Sequence, residues 1–106
     1  MKKLLFICSK NRLRSPTAEE VFSNIEGFEA IGCGISKEAP TALSGDLVEW
    51  ADIIFTMENI HRSKVTQKYS KLLKNKRLIC LDIPDNYSRM QPELVVILKE
   101  KVLGHL

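Results

Sequence analysis

Cys8-Ser9-Lys10-Asn11-Arg12-Leu13-Arg14-Ser15-Pro16 brings a nucleophile, a planar cation and a helix start into one short loop. Between Cys8 and Arg14 the chain has room to curl so that successive backbone N–H groups point inward as an anion-binding nest. The helix entered at Ser15 and Pro16 adds unpaired N-terminal N–H groups and the positive end of its dipole. Arg14 supplies a fork that grips two phosphate oxygens at once, and Lys10 and Arg12 raise the local positive potential. The same field favours the thiolate form of Cys8, so the place that holds an oxyanion also activates a nucleophile beside it. Ser15 either hydrogen-bonds that thiolate or caps the helix. A free cysteine on its own is usually a small buried hydrophobe. Arg-Ser-Pro at this spacing, on a strand-to-helix junction, points to chemistry instead.

The elements that must position this loop alternate between strand-like and helix-like patterns. Lys3 to Cys8 is a continuous apolar run, the mark of a strand buried on both faces. From Ser15 the period changes: Ala18, Val21, Phe22 and Ile25 form one helical stripe, with Pro16 suited to the first turn and Asn24 and Gly27 offering a stop. Phe28 to Gly32 reads as a second strand, Cys33 to Gly45 as a loop, and Asp46 to Trp50 as a single helical turn. Ala51 to Met57 is a third buried strand, Glu58 to Tyr69 a surface helix, and Arg77 to Leu81 a fourth strand. Pro84-Asp85-Asn86 signals a turn. Pro92 opens a last helix, striped by Leu94, Val95, Leu98 and Val102 and closed by Gly104. This alternation predicts a parallel sheet covered on both faces, with its ligand crevice beyond the carboxyl ends of the strands.

Composition narrows the function classes. At 106 residues the chain is expected to form one domain, 1–106. Its 44% hydrophobic and 27% charged residues exclude a disordered or fibrous chain. The apolar run at the N-terminus stops short of a secretory h-region and nothing approaches a membrane span, so a cytoplasmic protein without membrane contact is expected. Three cysteines, Cys8, Cys33 and Cys80, form no C-x-x-C pair, which argues against a disulfide scaffold or a zinc ribbon. His61 and His105 lack metal-ligand spacing and are expected to be solvated. The net charge of +3 is mild, and the basic stretch from Arg62 to Arg77 reads as a solvated face, so no nucleic-acid partner is expected. No nucleotide P-loop motif is present. Trp50 reads as a core or rim residue.

The stretch from Cys8 through Glu19 resembles the signature of the low-molecular-weight protein tyrosine phosphatases. Ala51-Asp52-Ile53-Ile54-Phe55-Thr56-Met57-Glu58 resembles that family's third strand, and Ile83-Pro84-Asp85-Asn86-Tyr87 its acid loop. The resemblance implies a three-layer α/β fold with a four-stranded parallel sheet in the order 2-1-3-4 and a phosphate loop after strand 1. It implies a metal-independent hydrolase in which Cys8 attacks phosphorus. Ser9 to Ser15 (Ser9, Lys10, Asn11, Arg12, Leu13, Arg14, Ser15) would bind phosphate, with Asn11 holding the loop's shape. Asp85 would be the general acid and base. Tyr87, two residues further on, would either stack on the substrate's phenyl ring or pack at the approach to the last helix. No cofactor is implied. The substrate would be a phosphotyrosine-containing protein or a small aryl phosphate.

Three departures stand out. The chain is short around Gly34 to Gly45, where typical members wall the substrate cleft. Leu13 stands where many members carry a second cysteine, and Asn86 replaces a proline. Arsenate reduction uses a similar anion loop but needs two further thiols close in sequence, unlike Cys33 and Cys80. A non-catalytic phosphate sensor or phosphocysteine carrier needs no acid, and Asp85 argues against it. Asp82 competes with Asp85 for the acid's role. Cys33 would neighbour Cys8 in a 2-1-3-4 sheet as a resolving thiol, or else pack as a small residue in Gly-Cys-Gly.

Overall fold

A computed structural model describes residues 1–106. Four strands form one parallel sheet in the order β2-β1-β3-β4: β1 Lys2–Cys8, β2 Phe28–Gly34, β3 Ile53–Thr56 and β4 Arg77–Cys80. The expected α/β fold and strand order are those observed. Between and after the strands lie α1 Arg14–Ser23, α2 Gly45–Trp50, α3 Asn59–Tyr69 and α4 Pro92–Leu103, with a short 3-10 turn at Ser70–Leu73.

The unbroken apolar run of β1 is explained by its central place. Side chains alternate across a strand, so Leu4, Phe6 and Cys8 face α1 and α4, while Leu5 and Ile7 face α2 and α3. On the first face Phe6 stacks between Phe22 and Phe55, at centroid distances of 5.5 and 5.2 Å. Val21 of α1 and Leu94, Leu98 and Val102 of α4 complete this cluster. Val48, Val65 and the half-buried Trp50 close the second face. Each fully buried large side chain contributes roughly 1.5–3 kcal/mol, and β1 supplies four of them in succession. That makes its carboxyl end a rigid base for the loop that follows. No helix is long and apolar enough to cross a membrane.

Two of the boundaries that differ from the sequence reading lie at the loop after β1. β2 runs on through Cys33 and Gly34, because pairing with β1 in the register Ile7 to Cys33 and Cys8 to Gly34 outweighs the weak strand propensity of Gly-Cys-Gly. α1 begins at Arg14, two residues before Pro16. Proline is tolerated there because first-turn N–H groups have no helical partner.

Candidate active site

The loop from Ser9 to Leu13 leaves β1 and turns into α1. Asn11 takes a φ of 55°, a left-handed conformation that asparagine tolerates better than most residues. Its backbone N–H points to Cys8 Sγ at 3.3 Å. The N–H groups of Lys10, Arg12, Leu13, Arg14 and Ser15 donate to nothing within the chain, and Leu13 at the helix N-cap offers no side-chain cap. These amides surround the mouth of a cleft of about 310 Å³ lined by Cys8, Ser9, Lys10, Arg12, Leu13, Arg14 and Asp85. Such a nest of free donors fits a tetrahedral oxyanion.

Beneath the loop, β2 must come unusually close. A Cβ on Gly32 would lie 2.5 Å from the carbonyl oxygen of Ser15, and one on Gly34 would lie 2.9 Å from the Asn11 nitrogen. Only glycine lets the loop backbone rest on that strand. Ser15 Oγ lies 2.9 Å from Cys8 Sγ, 2.7 Å from Asn11 Oδ1 and 3.2 Å from the Cys33 carbonyl. It therefore serves the thiol rather than capping the helix. Its single proton serves one acceptor at a time, and directed at Sγ it stabilises a thiolate.

Arg14 is buried, with only 2% of its surface exposed. Its Nη1 donates to the Glu58 carboxylate and to the Ile83 carbonyl, the latter at 2.7 Å. Nε lies 3.7 Å from Asp85 Oδ1, and the Nε–Nη2 edge makes no hydrogen bond within the chain. One edge of the guanidinium is thus anchored and the other is free to take two oxygens. Glu58 also starts α3, where its carboxylate and the His61 ring form a capping box. The sequence pattern alone places Glu58 inside that helix and gives it no role.

His61 is buried rather than solvated. Its Nδ1 accepts from the Glu58 backbone N–H at 3.1 Å, so the proton of the neutral ring sits on Nε2 and donates to Ser9 Oγ at 2.9 Å. Burial, and then the positive charge of Arg14, push its pKa below the ordinary 6.5. Because the folded value is the lower one, the stabilisation is complete above about pH 6.5 and is lost as pH falls from there toward the folded value. Melting temperature should therefore drop through that window. His61→Gln should flatten the drop in a pH series followed by circular dichroism, and an unchanged slope would show that His61 is not the group responsible.

The remaining expected residues divide. Asp85 lines the cleft, whereas Asp82 sits outside it at a φ of 55°, with its carbonyl 3.3 Å from Lys101 Nζ. Tyr87 is half-buried against the core and does not line the cleft. Cys33 pairs in register with Ile7, not Cys8, and its side chain faces the opposite side of the sheet. Cys33 and Cys80 lie on the two edge strands, three spacings or about 14 Å apart.

No family model matches the sequence, and no curated protein matches it. Solved structures do match along nearly the whole chain. The chain has the fold of the low-molecular-weight protein tyrosine phosphatases. Wzb from Vibrio vulnificus, in complex with benzylphosphonate, is 20% identical with a TM-score of 0.78, covering 98% of this chain and 96% of that one. The low-molecular-weight protein tyrosine phosphatase from Streptococcus pyogenes is 15% identical with a TM-score of 0.77, covering 100% and 91%. YwlE arginine phosphatase from Geobacillus stearothermophilus is 16% identical with a TM-score of 0.73, covering 99% and 95%.

Proposed function

We propose that the chain is a cysteine-dependent phosphomonoester hydrolase acting on phosphotyrosine or a similar aryl phosphate. One observation carries this reading: Cys8 Sγ lies at the floor of a cleft whose walls hold unpaired loop amides, the free edge of Arg14 and, at the rim, Asp85. The phosphoryl group sits in the nest with two equatorial oxygens on Arg14 Nε and Nη2. The Cys8 thiolate forms the S–P bond as the P–O bond to the leaving phenol breaks, and protonated Asp85 gives its proton to the departing oxygen. Asp85, now a carboxylate, takes a proton from water, which attacks the phosphocysteine. Inorganic phosphate leaves and the thiolate is restored. Loop amides and Arg14 act where charge is greatest, on the transferring phosphoryl.

The similarity to arginine phosphatases raises phosphoarginine as a second substrate class. Lys10 and Arg12 at the cleft mouth repel a cationic guanidinium leaving group and accept a neutral phenol. A thiol relay on arsenate is disfavoured by the separation of Cys33 from Cys80.

Purified protein incubated with an aryl phosphate in excess chelator, beside a Cys8→Ser control, tests the reading. Turnover confined to the wild type is the expected result. Tight oxyanion binding without turnover would replace the hydrolase with a sensor, and faster turnover of phosphoarginine would reassign the substrate. A labelling experiment separates the thiols. Burial pushes the Cys33 pKa up to about 12, so iodoacetamide near neutral pH should modify Cys8 first, and phosphate or vanadate should slow it. Prior modification of Cys33 or Cys80 with activity intact would remove Cys8 from the mechanism.

A further inference from the structure

Three more clefts open off the mouth of the phosphate cleft, and each is bounded by Lys10 or Arg12. On one side the wall runs from Lys10 past Ser36 and His61 to Lys64. On the other it runs from Arg12 past Thr41 to Arg89. A third cleft, between Lys10 and Arg12, joins the two. All four cations are exposed, and none is paired, since the chain's ion pairs both belong to Arg14. The carboxylates within these clefts are Glu38 and Glu19, and Glu19 is already held by the Gly32 N–H at 2.7 Å. The rim is thus a basic track that crosses the cleft mouth and continues on both sides of it.

We propose that this track seats the acidic residues flanking the phosphorylated residue of a protein substrate. The proposal rests on the phosphatase reading and names its substrate class. A small phosphoester fills the central cleft and leaves Lys64 and Arg89 without a partner. An extended peptide advances about 3.3 Å per residue, so carboxylates on either side of the phosphorylated residue reach the two arms. Exposed charges of this kind add modest affinity, are screened by salt and chiefly select the partner.

The test uses the Cys8→Ser protein, so that binding is read without turnover, and two fluorescent phosphotyrosine peptides of equal length. One carries aspartate and glutamate on both sides of the phosphotyrosine, the other glutamine and serine. At low salt the acidic peptide is expected to bind about 5-fold tighter or better, and the gap should close as salt is raised. Adding Lys64→Gln and Arg89→Gln should remove most of the preference. In the Cys8-intact protein those two changes should leave hydrolysis of a small aryl phosphate unchanged. Equal binding of the two peptides overturns the proposal, as does a preference that survives both substitutions. A short single-stranded RNA binding more tightly than the acidic peptide overturns the choice of occupant. Absence of aryl phosphate turnover by wild-type protein, with the peptide preference intact, would sink the hydrolase reading and leave the track standing.

Discussion

Replacing Arg14 with lysine is expected to lower turnover of an aryl phosphate by at least ~100-fold, on the order of 2.7 kcal/mol in barrier. The charge survives but the geometry does not. Arg14 Nη1 bonds Glu58 and the Ile83 carbonyl, which fixes the plane of the guanidinium and turns its Nε–Nη2 edge toward the cleft. An ammonium placed to satisfy Glu58 cannot also present two parallel donors to the phosphoryl oxygens. The loss should fall mainly on kcat, because planar equatorial oxygens exist only in the transition state. Glu58 lies behind this effect, so Glu58→Gln should give a smaller loss in the same direction. Near-normal turnover by Arg14→Lys would mean that the loop amides alone carry the phosphoryl group.

Asp85→Asn is expected to slow phenyl phosphate by about 10²–10⁴-fold, the usual contribution of a general acid, and a nitro-activated ester far less in the bond-breaking step. A nitrophenolate leaves without protonation, so the missing proton costs little there. Asp82→Asn should show no such dependence on the leaving group, since Asp82 lies outside the cleft, at a left-handed position ahead of the segment that carries Asp85. Rates for a series of substituted phenyl phosphates decide between them. A steep dependence appearing in the Asp82 variant instead would move the acid to that residue.

The parts of this site that are legible in the sequence are those encoded locally. β1 is an unbroken apolar run because both of its faces are buried; Cys8 ends it, Asn11 lies in the loop that follows, and Arg14 and Ser15 open α1. What is not legible depends on distant pairing. Glu58 meets Arg14 only because β3 lies beside β1, across a separation of 44 residues. A lone histidine on a polar helix carries no periodic signal, so the pattern around His61 predicts a solvated ring. Its burial comes from the capping box with Glu58 and from Ser9 above it. Gly32 and Gly34 fall where the sequence suggests a strand end and a loop. Their spacing of two, on the strand face beneath Ser15 and Asn11, is the one local clue to a close backbone approach. Of the two readings open to Tyr87, stacking on a substrate ring or packing near a helix, the fold shows packing against the core, outside the cleft lining. Leu13, 36% exposed, is the larger of the apolar side chains that line the cleft.

The central claim is a phosphoryl group carried on Cys8. Asp85→Asn protein mixed with a nitro-activated aryl phosphate should form this intermediate quickly and lose it slowly, because Asp85 is the residue proposed to activate the hydrolytic water. Acid quenching on the millisecond scale, followed by digestion and mass spectrometry under acidic conditions, locates it. The expected result is one phosphoryl group per chain on the peptide containing Cys8, absent from the corresponding Cys8→Ala protein. A burst of phenol with the phosphoryl group on Ser9 or Ser15, or turnover with no phosphorylated chain at any time, would contradict the mechanism.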